Sequence, residues 1–521
     1  MNSPSHRVPA PENAPDTLLA AARRALRSAQ YDRALECLAQ CDWWPAPFDE
    51  AGALARVEIL SRRDPAAAAA ELARRQDLFA TPAGRFGFQI AGAHAQCSLL
   101  NLEAAAAMLE AAASIAPQLD DENAARLAFH QARLTFLRGQ YDPEGADLRT
   151  AIELGRADIQ IAALLLRSQA HARLESFDAQ IADLRRALEI FENMPAERDA
   201  AGGAAVIRAL LEISVEICDR AGIDQAERSF ESLVWTADIA NERFLCTRIL
   251  AWEAFLRGQS ARAQWLFKDS KEIATTTAWK VMTHLDRAYV ARMNLNEIWA
   301  NEELLCAHKL ARGVKWAQTS AAEREALPLL AVLFAETDMA QAQRYISMCL
   351  TLSNPQHAPS APHDRLEGAL NNFTAGRVQQ LLGNPHVAER RFQEAYRVLD
   401  ELRHHFRAAL CAWALSEMTG SPVWHERAIR HAEYFPRSPL YERVADCPPL
   451  PEYRDPFAGM TVLQREIALA LYHGMKQDEL PDRFGRAPSA IAKQVEAVYT
   501  AFGVGTCEAL TKELERRGVS L

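Results

Sequence analysis

Leu26-Arg-Ser-Ala-Gln-Tyr-Asp-Arg-Ala-Leu35 decides the fold, because its plan returns along the chain. Leu137-Arg-Gly-Gln-Tyr-Asp142, Leu174-Glu-Ser-Phe-Asp-Ala-Gln-Ile181, Leu256-Arg-Gly-Gln-Ser-Ala-Arg-Ala263 and Leu382-Gly-Asn-Pro-His-Val-Ala388 repeat it. Each is a leucine-ended helix, a tight turn often holding glycine, and a new helix with a small residue about five positions in. Weaker copies sit near Asp64, Leu100, Gly222, Asn301 and Thr337, so turns fall at about 29, 64, 100, 139, 175, 222, 258, 301, 337 and 383. From Thr17 to His431 alanine, leucine, arginine and glutamate dominate and β-branched clusters are few, which favours helix throughout. The pattern predicts about ten antiparallel helix pairs and no β-sheet.

Turns 35–47 residues apart, about half of them 35 or 36, with small residues where helices cross, resemble tetratricopeptide-type helical hairpins. That resemblance implies an all-α superhelix over residues 17–432 with a concave inner surface. Each hairpin would bury its apolar face only against its neighbours. The lead-in, residues 1–16, is polar and proline-rich and reads as disordered. Residues 433–459 carry six prolines and read as an extended linker, with Tyr434, Phe435, Tyr441, Tyr453 and Phe457 available to pin it to a surface.

Residues 460–521 form a different unit. An apolar-periodic segment with Ile467, Ala468 and Leu471 stops at Gly474. A short segment carries Leu480 and Phe484, and after Gly485-Arg-Ala-Pro-Ser489 a third holds Ile491, Val495, Val498, Tyr499 and Phe502. Two short helices about a tight turn, the second longer and amphipathic, describe a helix-turn-helix. The stretch resembles the LuxR-type helix-turn-helix of bacterial transcription regulators without a gap. Met460-Thr461, Glu466-Ile467, Gly474, Glu479-Leu480, Pro488, Ile491, Val498-Tyr499 and Phe502-Gly503-Val504 fall on its pattern. Helical-repeat regions precede such domains in large bacterial regulators. The resemblance implies a cytoplasmic bacterial regulator acting on promoter DNA as a homodimer, with helix 488–501 in the major groove. By position, Ser489, Lys493 and Gln494 would lie near bases or phosphates, and Lys476 and Gln477 would hold the backbone.

The chain departs from that family in charge. Leu463-Gln464 stands where the family has Arg-Glu, Ala490-Ile-Ala-Lys-Gln494 where it has Thr-Val-Lys-x-His, and Glu496 where a basic residue is frequent. Pro481 falls inside the first motif helix, where it should remove a hydrogen bond or force a kink. Residues 460–521 hold eight Lys/Arg and eight Asp/Glu, so the net charge of −10 lies entirely in residues 1–459. Phosphate-neutralising charge is therefore scarce. The alternative reading is an interaction protein whose helix-turn-helix has become a protein-docking surface.

No enzyme is expected. Gly-x-x-x-x-Gly-Lys-Ser/Thr, His-Glu-x-x-His and Gly-x-Ser-x-Gly are absent, as is the strand–helix alternation of a receiver domain. No cofactor or metal is implied: the ten cysteines form no CxxC pair and read as buried thiols, and His404-His405 and His425/His431 read as isolated. No apolar run of 18 residues occurs, so no membrane association is expected. Six tryptophans (235, 252, 265, 279, 299, 316) crowd into 82 residues. They either fill the space between hairpins or line a concave site for a protein, peptide or small-molecule effector. Trp252, Trp279, Arg292 and Trp299 are the candidate ligand residues.

Overall fold

The computed structural model describes residues 14–39, 44, 48–194, 199–324, 326–335, 337–352, 364–446, 457, 460–472 and 474–516. The chain divides into two compact units, residues 1–415 with 425–448 and residues 416–424 with 449–521. Among the described residues there is no strand.

Among the described residues, ten helix pairs run through the first unit, from Pro15–Arg27 with Tyr31–Cys37 to Asp364–Leu381 with Pro385–Glu401. Eight of the pairs turn in the same way. The residue just past the helix cap is left-handed: Ala29, Leu100, Gly139, Glu175, Cys218, Gly258, Leu295 and Gly383 have φ between 49° and 79°. The next N–H then reaches back five residues, as from Gln30 to the Ala25 carbonyl, Asn101 to Gln96, Ser176 to His171 and Asn296 to Ala291, each at 2.9 Å. This closure satisfies a carbonyl that the helix end would otherwise orphan. Only three of the eight left-handed positions are glycine, which displaces two turns from where glycine or spacing suggested. The turn expected near 222 is at Cys218 and the one expected near 301 is at Leu295. Gly222 itself lies within helix Arg220–Ser232 and is buried.

Ala34, Ala68, Ala105, Ala263, Ala300, Ala342 and Ala388 sit one turn into second helices and are at most 1 % exposed. A methyl group at that level lets the two helix axes of a pair approach closely. First helices then stack on first helices: Pro82–Ser98 packs on Phe48–Arg63 and on Asp121–Leu137.

The pairs also meet far along the chain, so the expectation of contact with neighbours alone does not hold. The Tyr31 N–H donates to Asp238 (2.7 Å), the Thr236 hydroxyl to the Ala29 carbonyl (2.6 Å), and Arg62 to Asp199 (2.9 Å). Leu19, Leu26 and Ile59 share one buried cluster with Ala200, Ala204 and Ile239. Later pairs close similarly: Arg365 binds Glu175 (2.6 Å), His404 binds Glu216 (2.7 Å), and Phe406 lies 6.1 Å from Trp252.

The expected extended linker is partly folded. Its first part contains helix Pro439–Asp446, with Leu440 and Val444 fully buried. Proline at a helix start costs no hydrogen bond, so Pro439 opens the helix instead of excluding it. Tyr434 stacks on His405 with ring centroids 3.6 Å apart, and Phe435 is buried. Residues 447–456 with Tyr453, and the lead-in 1–13, lie outside the described residues, while the first helix already starts at Pro15.

The second unit holds helices Val462–Tyr472, Leu480–Phe484, Pro488–Phe502 and Cys507–Arg516. Ile467, Leu471, Leu480, Ile491, Val495, Val498, Phe502, Leu510 and Leu514 form its core with Phe457. Gly474, Gly485 and Gly503 all take positive φ at its turns. Pro481 does not kink a helix. The helix begins at Leu480, so proline occupies the first turn, where its missing N–H had no partner to lose.

Candidate functional site

Helix Pro488–Phe502 buries Ile491, Val495, Val498 and Phe502 along one stripe. Residues three and four apart share a helix face, so the opposite face presents Ser489, Ala492, Lys493 and Glu496, all exposed. Gln494 is half-buried at the edge of that face. Lys476 and Gln477 are exposed at the preceding turn. The Lys476 N–H donates to Glu479 (3.0 Å), and the Gln477 amide donates to the Tyr499 hydroxyl (2.6 Å). Gln477 therefore ties the turn to the third helix. Around this face Arg483 and Arg486 are exposed, but so are Asp478, Glu479 and Asp482. Ser489, Lys493 and Gln494 thus lie along the third helix and Lys476 and Gln477 on the turn tied to Tyr499, with residues of both charges exposed nearby.

The repeat-region candidates do not converge. Trp279 is buried against Phe244, and Trp316 is buried with its indole N–H on the Ala311 carbonyl. Trp252 lies among Phe255, Phe267, Tyr289 and Phe406 and donates to Asp286 (3.2 Å). Trp299 donates to Glu303 (3.1 Å), with the Arg287 guanidinium over its ring. Arg292 donates to the Leu333 carbonyl (3.2 Å). Trp265 alone of the group is largely exposed, at 63 %. These indoles pack and orient helices, and Trp252, Trp279, Arg292 and Trp299 line neither of the cavities described next.

Concave space lies instead where the strap 434–437 crosses the turn after helix Ala240–Leu256. A cavity of about 380 Å³ there has apolar walls from Val215, Ile223, Leu256 and Phe435. Its polar lining includes Arg220, Glu253, Arg257 and Arg437. One Glu253 oxygen accepts from Arg220 (3.2 Å) and from Arg257, whereas its other oxygen and the Arg257 Nη2 are buried with no hydrogen-bond partner. Burial outweighs the pull of Arg220 and pushes the Glu253 carboxyl up to about 7. The nearby Cys218 thiol is pushed up to about 12 by burial and by Glu216.

A second cavity of about 490 Å³ adjoins the other side of Tyr434, lined by Asp400, Arg403, His405, Arg430 and His431. These histidines are not isolated. The Nδ1 atoms of His405 and His431 are 3.1 Å apart, and His431 Nε2 lies 3.2 Å from both the Tyr396 hydroxyl and Asp400. Burial, then the neighbouring His431, lowers His405 to about 4, and burial lowers His431 against the pull of Asp400. Among the described residues no cluster of His, Cys, Asp and Glu is arranged to hold a metal, and no helix is long and apolar enough to cross a membrane.

Sequence reasoning missed both cavities. Leu256-Arg-Gly-Gln259 was legible as a turn, but Arg220 meets Glu253 only through helix packing, and Arg437 joins the same lining only through the folded strap.

No family model and no curated protein matches the chain. Among solved structures it is similar to the apo form of the quorum sensor NprR from B. thuringiensis, at 12 % identity over 74 % of this chain and 98 % of that one, TM-score 0.42. It is also similar to an IFIT1 monomeric mutant with Gppp-AAAA, at 15 % identity over 74 % and 90 %, TM-score 0.37. A third is Naa15/Naa10 bound to HypK-THB, at 11 % identity over 97 % and 89 %, TM-score 0.20. At these values the likeness carries nothing about function, and the helical-repeat reading rests on the turns and stacking described above.

Proposed function

We propose that the chain is a bacterial transcription regulator whose helical-repeat unit receives an effector or protein partner and whose C-terminal unit is a LuxR-type helix-turn-helix acting on duplex DNA as a homodimer. The observation that carries this reading is the helix Pro488–Phe502, which buries one apolar stripe and leaves Ser489, Lys493 and the edge of Gln494 facing outward. A helix presented in this way fits the major groove, where a glutamine reads adenine through two hydrogen bonds. Lys476, with Gln477 braced on Tyr499, would meet the phosphates beside it.

Each phosphate contact contributes a slope of roughly −0.9 in log K against log salt. With about two to four usable contacts, among Lys476, Arg483, Arg486 and Lys493, binding is weak and gently salt-dependent. Fluorescence anisotropy on random duplexes tests this: Lys493→Ala removes most of the binding, while Glu496→Lys and Ala492→Lys strengthen it. Tight wild-type binding unaffected by Lys493→Ala refutes the assigned face. The exposed Asp478, Glu479, Asp482 and Glu496 favour a second reading, a protein-docking surface. No wild-type binding at low salt, with binding gained in the two lysine variants, decides for that reading.

A further inference from the structure

We propose that the cavity between the turn Leu256–Gln259 and the strap Tyr434–Arg437 is a binding site for a small carboxylic acid with an apolar body. Its volume of about 380 Å³ falls within the range of small-molecule sites, about 300–1,000 Å³. The lining suits such a ligand: Val215, Ile223, Leu256 and Phe435 offer hydrocarbon and an aromatic ring, beside the polar Arg220, Glu253, Arg257 and Arg437.

Among these polar groups the donors outnumber the acceptors. Arg220 is engaged by Asp224 (2.6 Å) and Glu253 (3.2 Å). Arg257 reaches the same Glu253 oxygen through Nε and leaves Nη2 buried without a partner. Arg437, an exposed residue, adds a third arginine to the lining. A buried N–H with no acceptor is costly, and a guanidinium fork matches a carboxylate in geometry and charge. The second Glu253 oxygen, with its side chain only 4 % exposed, is also without a partner. Burial raises that carboxyl to about 7, so around neutral pH its protonated form is available to donate to a ligand oxygen. An amine would instead meet three guanidinium groups. A phosphate would bring a second charge into a site with a single unpaired buried guanidinium nitrogen.

The strap gives the site its consequence. Gly258 carries a positive φ of 71°, and a Cβ there would lie 3.1 Å from the Arg437 carbonyl carbon and closer still to its oxygen. The strap therefore seats directly on the turn and then runs on into helix Pro439–Asp446, beyond which the chain continues to the C-terminal unit. A ligand touching Phe435 and Arg437 acts on the segment that joins the two. That consequence rests on the proposed function. The binding itself does not, and it is measured without DNA.

The test is isothermal titration calorimetry of the full chain with octanoate, against octan-1-ol, octylamine and octyl phosphate. Octanoate binds at one site and the other three bind at least tenfold more weakly. Arg437→Ala, which alters only an exposed side chain, weakens octanoate tenfold or more and leaves octanol unchanged. Val215→Phe, which fills the cavity, abolishes octanoate binding while the helical circular dichroism persists. Equal binding of octanoate and octanol, or octanoate binding unmoved by both variants, overturns the site. Preferred binding of octyl phosphate overturns the assignment to a carboxylate.

Discussion

Replacing Gly258 by alanine separates two costs that the structure places on one residue. The first is conformational: an L-residue in the left-handed region costs about 1–2 kcal/mol. Gly139 and Gly383 carry the same burden, with φ of 79° and 75°, yet nothing lies within 4 Å of a Cβ built on either. Gly258 adds the Arg437 backbone. Because a carbonyl cannot rotate away as a side chain would, the strap must lift, and Phe435, 7 % exposed, returns to water. Exposing such a side chain costs about 1.5–3 kcal/mol. Gly258→Ala should therefore cost about 2.5–5 kcal/mol in all, against about 1–2 for Gly139→Ala and Gly383→Ala. Amide hydrogen exchange reads the difference locally, since sub-global opening is what it detects. Exchange across the strap and helix Pro439–Asp446 should accelerate by about ten- to a hundredfold in Gly258→Ala. It should not change there in the other two variants. Equal strap exchange in all three would refute the seating of Arg437 on the turn.

The Asp286 carboxylate is fully buried and accepts from Arg248 Nε (2.5 Å), Arg248 Nη2 (3.0 Å) and Trp252. Arg248→Ala should cost about 3–5 kcal/mol by leaving that charge unpaired, whereas Arg248→Met with Asp286→Leu should recover most of it, as urea unfolding followed by circular dichroism will show. Against the burial that would raise it, His404 holds the Glu216 carboxyl down to about 2. A carboxyl depressed in the folded state stabilises above its unfolded value, so this contribution is present at neutral pH and is lost as pH falls from about 4.5 towards 2. Acid unfolding of Glu216→Gln should lack that part of the pH dependence while wild type shows it.

The repeats were legible because hairpin turns return with a leucine before them and an alanine after. The register slipped at two turns, placed near Gly222 and Asn301 where the left-handed residues are Cys218 and Leu295. Ala29, Leu100, Glu175, Cys218 and Leu295 take that conformation because the back-bonded turn offsets the strain, and no residue type announces it. Clustered tryptophans suggested a site, yet indoles such as Trp279 and Trp316 are large enough to fill the gaps between helix pairs. The cavity at Glu253 was not legible: Arg220, Arg257 and Arg437 lie on three separate segments, and no motif or spacing links them. The outward face of helix Pro488–Phe502 was legible, since a single 3.6-residue period separates Ile491, Val495 and Val498 from Ser489 and Lys493.

Contacts such as Tyr31 with Asp238 and Arg365 with Glu175 also bear on how such a chain can change over generations. An open solenoid tolerates gain or loss of a hairpin, because each unit needs only the one before it. Here a hairpin inserted between residues 64 and 199 would carry Arg62 away from Asp199, and one removed between 175 and 365 would do the same to Arg365 and Glu175. The number of hairpins is thus locked by closure, and a newly made chain cannot complete these contacts until the segments carrying Arg365, His404 and Phe406 have left the ribosome.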